Sequence, residues 1–495
     1  MEIKPLLGLG GVLIAAMGTE LNDQVTSIGI AEIRGGLNIS FDPGTWMESL
    51  YISAEIIGMA TGPWLMVTFT LRRFILFVMT LCCVSSMLIP FSPDIFGIYV
   101  LRVLQGLSGG LTIPLLMATA LRVLTPDIRL YGLAVYALTA TFTPAIAAPF
   151  AALWTNIVGW RFAFFQAIPF CTLAALLSWY GLPQDKADYQ RFRMLDWRGL
   201  LLLIIGFGAL STMLFQGDRL DWFNSKLICV LALASVVAVP LLLANEWFHP
   251  LPLFKLQLLG RPNFGYGAIA LFLFLLIGQS ASTVPLQFLT QVQGFLPLQS
   301  EIITLVIAAS QLVMLPAMAL LLDYRRVDSR VVSFIGLMLI IASCIGSSFV
   351  TVYWDTTQFL LWQILQAVGQ PMVVMPLLLM ATNSVVPQEG PFASGLVNAP
   401  RALSEATGIW LLDLITRWRG GLHSDRIIDQ LGQDRWRVAV PGGPAALNQA
   451  VRQQVTILTL SDAYLVMAAI AAALTVVLLV LPVRTLPPRI QLADH

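Results

Sequence analysis

Charge is what this sequence has least of. Of its 495 residues, 11% are Asp, Glu, Lys or Arg, against 57% that are hydrophobic. Soluble domains carry about 25% charged residues, so this chain lacks the polar skin that water demands, and much of its surface is expected to face lipid. The 28 basic and 27 acidic residues nearly cancel, which excludes the basic excess of a nucleic-acid-binding protein. The five cysteines, Cys82, Cys83, Cys171, Cys229 and Cys344, all fall in apolar runs. Their number is odd and no CxxC occurs, so they read as small core residues. The three histidines, His249, His423 and His495, lie in loops or at the tail, which leaves any proton traffic inside a membrane to carboxylates. There is no GxxxxGK(S/T) phosphate loop, no His/Cys cluster with metal-ligand spacing and no GxSxG with suitable partners. No enzyme activity, cofactor or metal is therefore expected, and energy must come from an ion gradient or from another subunit.

What the chain does have is long apolar runs. A membrane span needs roughly 20 apolar residues. That template predicts fourteen spans, near 6–32, 44–70, 73–91, 94–121, 131–156, 160–182, 198–216, 225–245, 263–290, 300–322, 330–350, 356–382, 391–416 and 461–483. Pro144 and Pro149 interrupt the fifth. The N-terminal MEIKPLLGLGG enters the first span without the cleavage site of a signal peptide and is expected to be retained. With an N-terminus in the cytoplasm, 16 Lys and Arg fall on that side against 4 in the short outer loops. The positive-inside rule then places both termini there. The segment 248–262 is amphipathic and is expected along the inner face. The long outer segment 417–460 is a candidate helical cap or contact for an outer partner.

The chain also repeats itself. LRVLQGLSGGLTIPLLMAT at 101–119 matches WQILQAVGQPMVVMPLLLMAT at 362–382, with Gln105 over Gln366. A shift of eight spans in one orientation means two six-span halves with two spans between them, an arrangement of parallel repeats found in transporters. The predicted units are 1–183, 184–262 and 263–495.

These stretches carry a resemblance. RVLQGLSGG at 102–110 resembles the span-4 motif of the major facilitator superfamily. PGTWMESLYIS at 43–53, GWRFAFFQAIP at 159–169 and ASGLVNAPRALSEATG at 393–408 resemble segments of its fourteen-spanner, EmrB-type drug:proton antiporters. The resemblance implies an all-α fold of 6 + 2 + 6 helices in a bacterial inner membrane. It implies export of amphipathic small molecules in exchange for protons, and work with a periplasmic adaptor and an outer-membrane channel. Gating is implied for the loop after span 2, where Gly62, Arg72 and Arg73 remain but the usual Asp is missing. The second-half copy keeps Asp323 and Arg325. The glycines of the span-5 antiporter motif are alanines in TATFTPAIAAPFAA at 139–152, although its prolines remain. Where the family commonly carries an Asp in span 1, this chain has Asn22, beside Asp23.

Candidate functional residues follow from the cost of charge in lipid, about 2.5–3.5 kcal/mol for one at the bilayer centre. Glu20 and Asp23 share one face of span 1 with Ser27, and Glu48 and Glu55 share one face of span 2. Helix rise places Glu20 and Glu55 near mid-depth, and Asp23 at the level of Arg102. An Asp23–Arg102 ion pair is predicted, which leaves Glu20 and Glu55 without a basic partner. Glu20, Asp23, Glu55 and Arg102 are thus the proton-coupling candidates. In span 13, Arg401 and Glu405 stand at i and i+4 and are able to pair with each other. Gln105, Phe142, Gln279, Gln366, Asn398, Arg401 and Glu405 are the substrate-binding candidates, on the pattern of an apolar cavity with few polar contacts. Each also has a structural reading, as brace, helix glue or lipid-facing side chain. Two other functions stay open: a dedicated exporter of an endogenous metabolite or siderophore, and a non-transporting membrane sensor.

Overall fold

A computed structural model describes residues 3–483, apart from 125–127, 186, 301, 325–326, 387–388 and 434–442. The described residues are helices and loops, without a strand. The long helices are α1 (Ile3–Ile28), α2 (Phe41–Phe69), α3 (Leu71–Leu88), α4 (Ile95–Val123), α5 (Arg129–Ala152), α6 (Ala167–Gly181) and α7 (Trp197–Gln216). They continue with α8 (Lys226–Phe248), α9 (Pro262–Gly278), α10 (Ile302–Asp323), α11 (Ser329–Ser347), α12 (Thr356–Asn383), α13 (Gly390–Gln433) and α14 (Gly443–Val480). Thirteen of the described helical stretches are long and apolar enough to cross a membrane. The predicted span 391–416 falls in α13, which is not among them. Asn398, Arg401 and Glu405 dilute its hydropathy, and Asn398 and Arg401 are buried within the bundle.

Two spans differ from the simple prediction. Pro144 and Pro149 do not break α5, which continues into a wider turn at Leu153–Val158. Each proline removes one backbone bond, but unwinding in lipid would expose many more. The predicted span 263–290, by contrast, is broken. After α9 the chain tightens into short-range bonds, such as Ser280 N to Ile277 O at 2.9 Å, and a new helix runs from Thr283 to Gln291. The break is propped from α12, where Gln363 donates to Ala281 O and Gln366 to Ser280 Oγ, both at 3.1 Å.

The segment 248–262 turns apolar side chains into the protein. Leu253, Phe254, Leu256 and Leu258 are buried, and Phe254 N donates to Glu246 Oε2 at 2.9 Å. Its apolar face plugs the gap between helix ends. The segment 417–460 is largely helical, because α13 runs on to Gln433 and α14 begins at Gly443. Arg419 and His423 on α13 both reach Asp462 on α14, at 2.6 Å.

Small residues set the closest packing. A Cβ on Gly110 of α4 would stand 2.0 Å from Glu55 O, and one on Gly106 would stand 2.2 Å from Tyr51 O. Only glycine allows α2 and α4 this approach, and it fixes the backbone that carries Glu55. The α7–α8 hairpin docks on α2 through a polar seam. Ser211 Oγ lies 2.7 Å from Ser53 Oγ, Gln216 donates to Ser49 at 3.2 Å, and Arg219 pairs with Asp42 at 2.9 Å.

Candidate functional site: a charged cleft between the two repeats

The two repeats meet along α1, α2, α4 and α5 on one side and α9, α10, α12 and α13 on the other. Arg401 on α13 forms an ion pair with Glu20 on α1 at 2.8 Å. Both residues are buried. Arg401 also donates to Thr139 Oγ1 at 3.2 Å and to Thr139 O at 3.1 Å on α5. Glu20 is thus not an unpartnered acid, and Arg401 does not pair with its helix neighbour Glu405. The carboxylate of the facing repeat, backed by the Thr139 carbonyl, satisfies more of the guanidinium than a residue one turn away.

Glu405 instead accepts from Gln24 Nε2 of α1 at 2.9 Å. It converges with Asp23 of α1 and Glu55 of α2, one oxygen of each lying within 4.8 Å of the others. Among the described residues this is the one group of three acids close enough to share a cation. Ionised carboxylates this close repel one another strongly where water is scarce. Glu55 Oε2 is buried without a hydrogen-bond partner among the described residues, as are both amide atoms of the adjacent Asn22. Asp23, not Asn22, joins the acidic group.

The predicted Asp23–Arg102 ion pair is absent among the described residues. Arg102 is buried. It donates to Gln105 Oε1 at 2.7 Å, Met47 O at 3.3 Å and Thr26 Oγ1 at 3.4 Å, and lies over the Tyr51 ring at 4.3 Å. Neutral acceptors and an aromatic face already satisfy the guanidinium. Glu48 accepts from Ser27 Oγ.

Beside this group lies a cavity of about 400 Å³, with a wall built from both repeats. Of the predicted residues, Glu20, Gln279, Arg401 and Glu405 line it. Gln370 lines it too, as do Gln24 and Ser404, which were not singled out in advance; a lone amide or hydroxyl in an apolar span gives no signal of what it faces. Gln105, Phe142, Gln366 and Asn398 are not part of the wall. Gln105 donates to Ser86 at 2.8 Å, tying α4 to α3, and Gln366 reaches Cys344 Sγ at 3.8 Å, tying α12 to α11. The matched amides of the repeat thus do matched jobs inside their own halves. Asn398 accepts from Tyr136 OH at 2.5 Å, and Phe142 packs with Ala145, Ala281 and Ile307.

The cleft is sealed toward the face that carries the start of α1 and the end of α14. There Ser394 Oγ donates to Pro114 O at 2.8 Å, and Gly395 sits so near Pro63 that a Cβ would lie 3.0 Å from its ring. Next come the Tyr136–Asn398 bond and the Glu20–Arg401 pair. The cavity lies beyond them, reaching Ile28, Thr290 and Ile409. Of the gating candidates, Gly62, Arg72 and Arg73 make other contacts. Gly62 packs against Leu111 of α4, Arg72 lies over the Trp179 ring at 5.5 Å, and Arg73 donates to Tyr189 OH at 3.4 Å. Asp323 ends α10, and Arg325 lies outside the described residues.

The family model described as Major Facilitator Superfamily matches residues 11–283. The chain is 27% identical over 425 residues to "Multidrug export protein EmrB" of Haemophilus influenzae, covering 83% of this chain and 80% of that one. It is 26% identical over 473 residues to "Probable multidrug resistance protein EmrY" of Escherichia coli, covering 92% and 91%. Among solved structures, the human organic anion transporter MFSD10 superposes with a TM-score of 0.59 at 15% identity, covering 94% of this chain and 99% of that one. That likeness is one of fold.

Proposed function

Since the chain belongs to the Major Facilitator Superfamily, we propose that this multi-pass membrane protein exports amphipathic small molecules in exchange for protons. The relatives named for multidrug export support the direction and the cargo class. The face sealed at Ser394 and Asn398 is the cytoplasmic one, both termini lie there, and the membrane is a bacterial inner membrane. The acidic cluster that joins the two repeats beside the cavity carries the reading: Asp23 and Glu55 from one, Glu405 from the other.

Alternating access rocks the two halves about such a midplane site. In the state sealed on the terminal face, Glu405 stands against Asp23 and Glu55, and protons from the far side hold the three together. Opening the terminal face must break the Glu20–Arg401 pair and draw Glu405 away. The repulsion that retained the protons is then relieved, and they leave on the cytoplasmic side as cargo enters. The far-side pair formed by the end of α13 and the start of α14 is the surface for a periplasmic adaptor leading to an outer-membrane channel.

Substrate-driven proton movement in proteoliposomes under an imposed pH gradient tests this. A panel of lipophilic cations, weak acids and neutral amphiphiles is expected to contain compounds that move protons with the wild type and fail to do so with Glu405→Gln or Glu55→Gln. Transport without proton movement, or variants that match the wild type, would sink the coupling mechanism.

A further inference from the structure

The α7–α8 hairpin belongs to neither repeat, yet it touches both. Phe207 and Phe215 of α7 pack against a cluster that includes Tyr51, Ile52 and Ile56 of α2 and Ala402 of α13. The hairpin therefore lies along the seam where the repeats meet, against the helix that carries Arg401 and Glu405. Its two attachments differ in kind. Toward α2 the joint is hydroxyl and amide. Ser211 and Thr212 lie 2.7 and 3.1 Å from the Ser53 hydroxyl, and Gln216 donates to Ser49 at 3.2 Å. All five residues are buried, so parting them strands polar groups where no water replaces the lost bonds. Toward α13 the joint is made by the far-side loop between α7 and α8. Arg417 pairs with Asp218 at 2.7 Å and with Asp221 at 3.6 Å, and donates to Asp218 O at 2.8 Å. The side chains of Arg417, Asp218 and Asp221 are 36%, 37% and 69% exposed. Water and salt compete for these contacts, so this joint is the weaker of the two and yields first.

The loop is shaped for the contact. Asp221 and Trp222 both stand in the left-handed region, with φ of 58° and 49°, which bulky side chains avoid. This turn lays the Trp222 indole over Gly217, where a Cβ would stand 2.8 Å from the ring, and against Trp410 of α13, with 6.3 Å between ring centres. Arg219, in the same loop, reaches the other way, to Asp42 at the start of α2 at 2.9 Å. The loop thus bridges the outer ends of α2 and α13, with ion pairs to each.

We infer that the α7–α8 loop is a releasable spacer between the outer ends of α2 and α13, with Arg417 as the positioning residue that keeps the terminal face sealed. The inference rests on the rocking of the two halves proposed above and adds what the two extra helices do in it. The hairpin rides with α2, to which its stronger joint holds it. When the halves rock to open the terminal face, the outer ends of α2 and α13 close on one another. The loop between them then gives up Arg417, and Asp221 and Trp222 relax. Contacts made in one state alone bias the equilibrium toward that state. Ser394, Asn398 and Arg401 of the seal lie on the same helix as Arg417, so a tie at its outer part is felt at the terminal face.

Hydrogen–deuterium exchange of the purified protein in detergent, read by mass spectrometry, tests this. The joint is broken from one side by Arg417→Gln and from the other by Asp218→Asn with Asp221→Asn. Either change is expected to make the seal segment 394–398 exchange about fivefold faster, about 1 kcal/mol, and the cavity mouth near Ile28 and Thr290 exchange more slowly. Arg417→Lys, which keeps the charge, is expected to retain most of the wild-type pattern. A merely structural role would loosen 217–225 and the neighbouring turn of α13 and leave 394–398 unchanged. That local outcome overturns the inference, as does an Arg417→Lys that loosens the seal as much as Arg417→Gln. If Arg417→Gln fails to fold by size-exclusion profile, the loop double variant decides. The two readings fail separately. Opposed changes at the two faces, in a protein that moves no protons in proteoliposomes, remove the antiport mechanism and leave the spacer. Proton-coupled transport with only local loosening removes the spacer and leaves antiport.

Discussion

Glu20 and Arg401 form the single ion pair that joins the repeats among the described residues, and it is buried. Breaking a buried pair from one side strands the other charge, at a cost of about 3–5 kcal/mol, whereas removing both members is often nearly neutral. Arg401→Met is therefore expected to lower the melting temperature sharply, and Glu20→Gln less so, because the amide still accepts from the guanidinium. The double variant is expected to regain stability but not transport, since nothing then times the opening of the sealed face. Thermal melts with efflux assays on all three check this; a double variant no more stable than Arg401→Met contradicts it. At this scale the acids were legible, because a charge in an apolar run stands out whatever it touches. Their partners were not. Glu20 finds Arg401 across the cleft, and Glu405, which the i,i+4 rule pairs with Arg401, turns to Gln24. Those choices are made by packing between repeats, which no local pattern records.

At the scale of the helices, apolar length and turn residues placed nearly every span, since lipid leaves few alternatives to a helix. What escaped were departures from regularity. The break after Gly278 depends on two amides of another helix, Gln363 donating to the freed Ala281 carbonyl and Gln366 to the Ser280 hydroxyl. The long polar α13 is held by neighbours rather than by hydropathy. The glycine contact of α2 and α4 gives a sharp test. Valine at Gly110 would bring its Cβ to within 2.0 Å of Glu55 O, so Gly110→Val is expected to destabilise by about 1–3 kcal/mol and to shift Glu55. Circular dichroism melts should fall for this variant, while Gly10→Val, where a Cβ meets nothing, should melt like the wild type.

At the scale of the whole molecule, the sequence repeat implied two halves and a pair of extra spans. It held no information on which face is closed, because that depends on how the halves lean. One tie at the terminal face is open to a pH test. Glu389 accepts from Lys255 and is bracketed by Arg261, at 2.8 and 3.2 Å, which joins the segment before α9 to the turn before α13. Burial pushes the Glu389 carboxyl up, but the hydrogen bonds from Lys255 and then Arg261 outweigh it and hold the group below its ordinary value of 4.5. A lowered carboxyl stabilises the fold fully above its unfolded value, and the contribution fades as pH falls through the folded one. Wild-type melting temperature is thus expected to drop below about pH 4.5 more steeply than that of Glu389→Gln. Parallel slopes would show that the tie adds nothing.

The central claim is that Asp23, Glu55 and Glu405 hold protons that substrate displaces. The most direct measurement is proton release on binding, read with a pH dye in weakly buffered detergent solution as tetraphenylphosphonium is added. The account predicts release that saturates with binding in the wild type and is lost in Glu405→Gln. Saturable binding with no proton release from the wild type, or unchanged release from the variant, would contradict it.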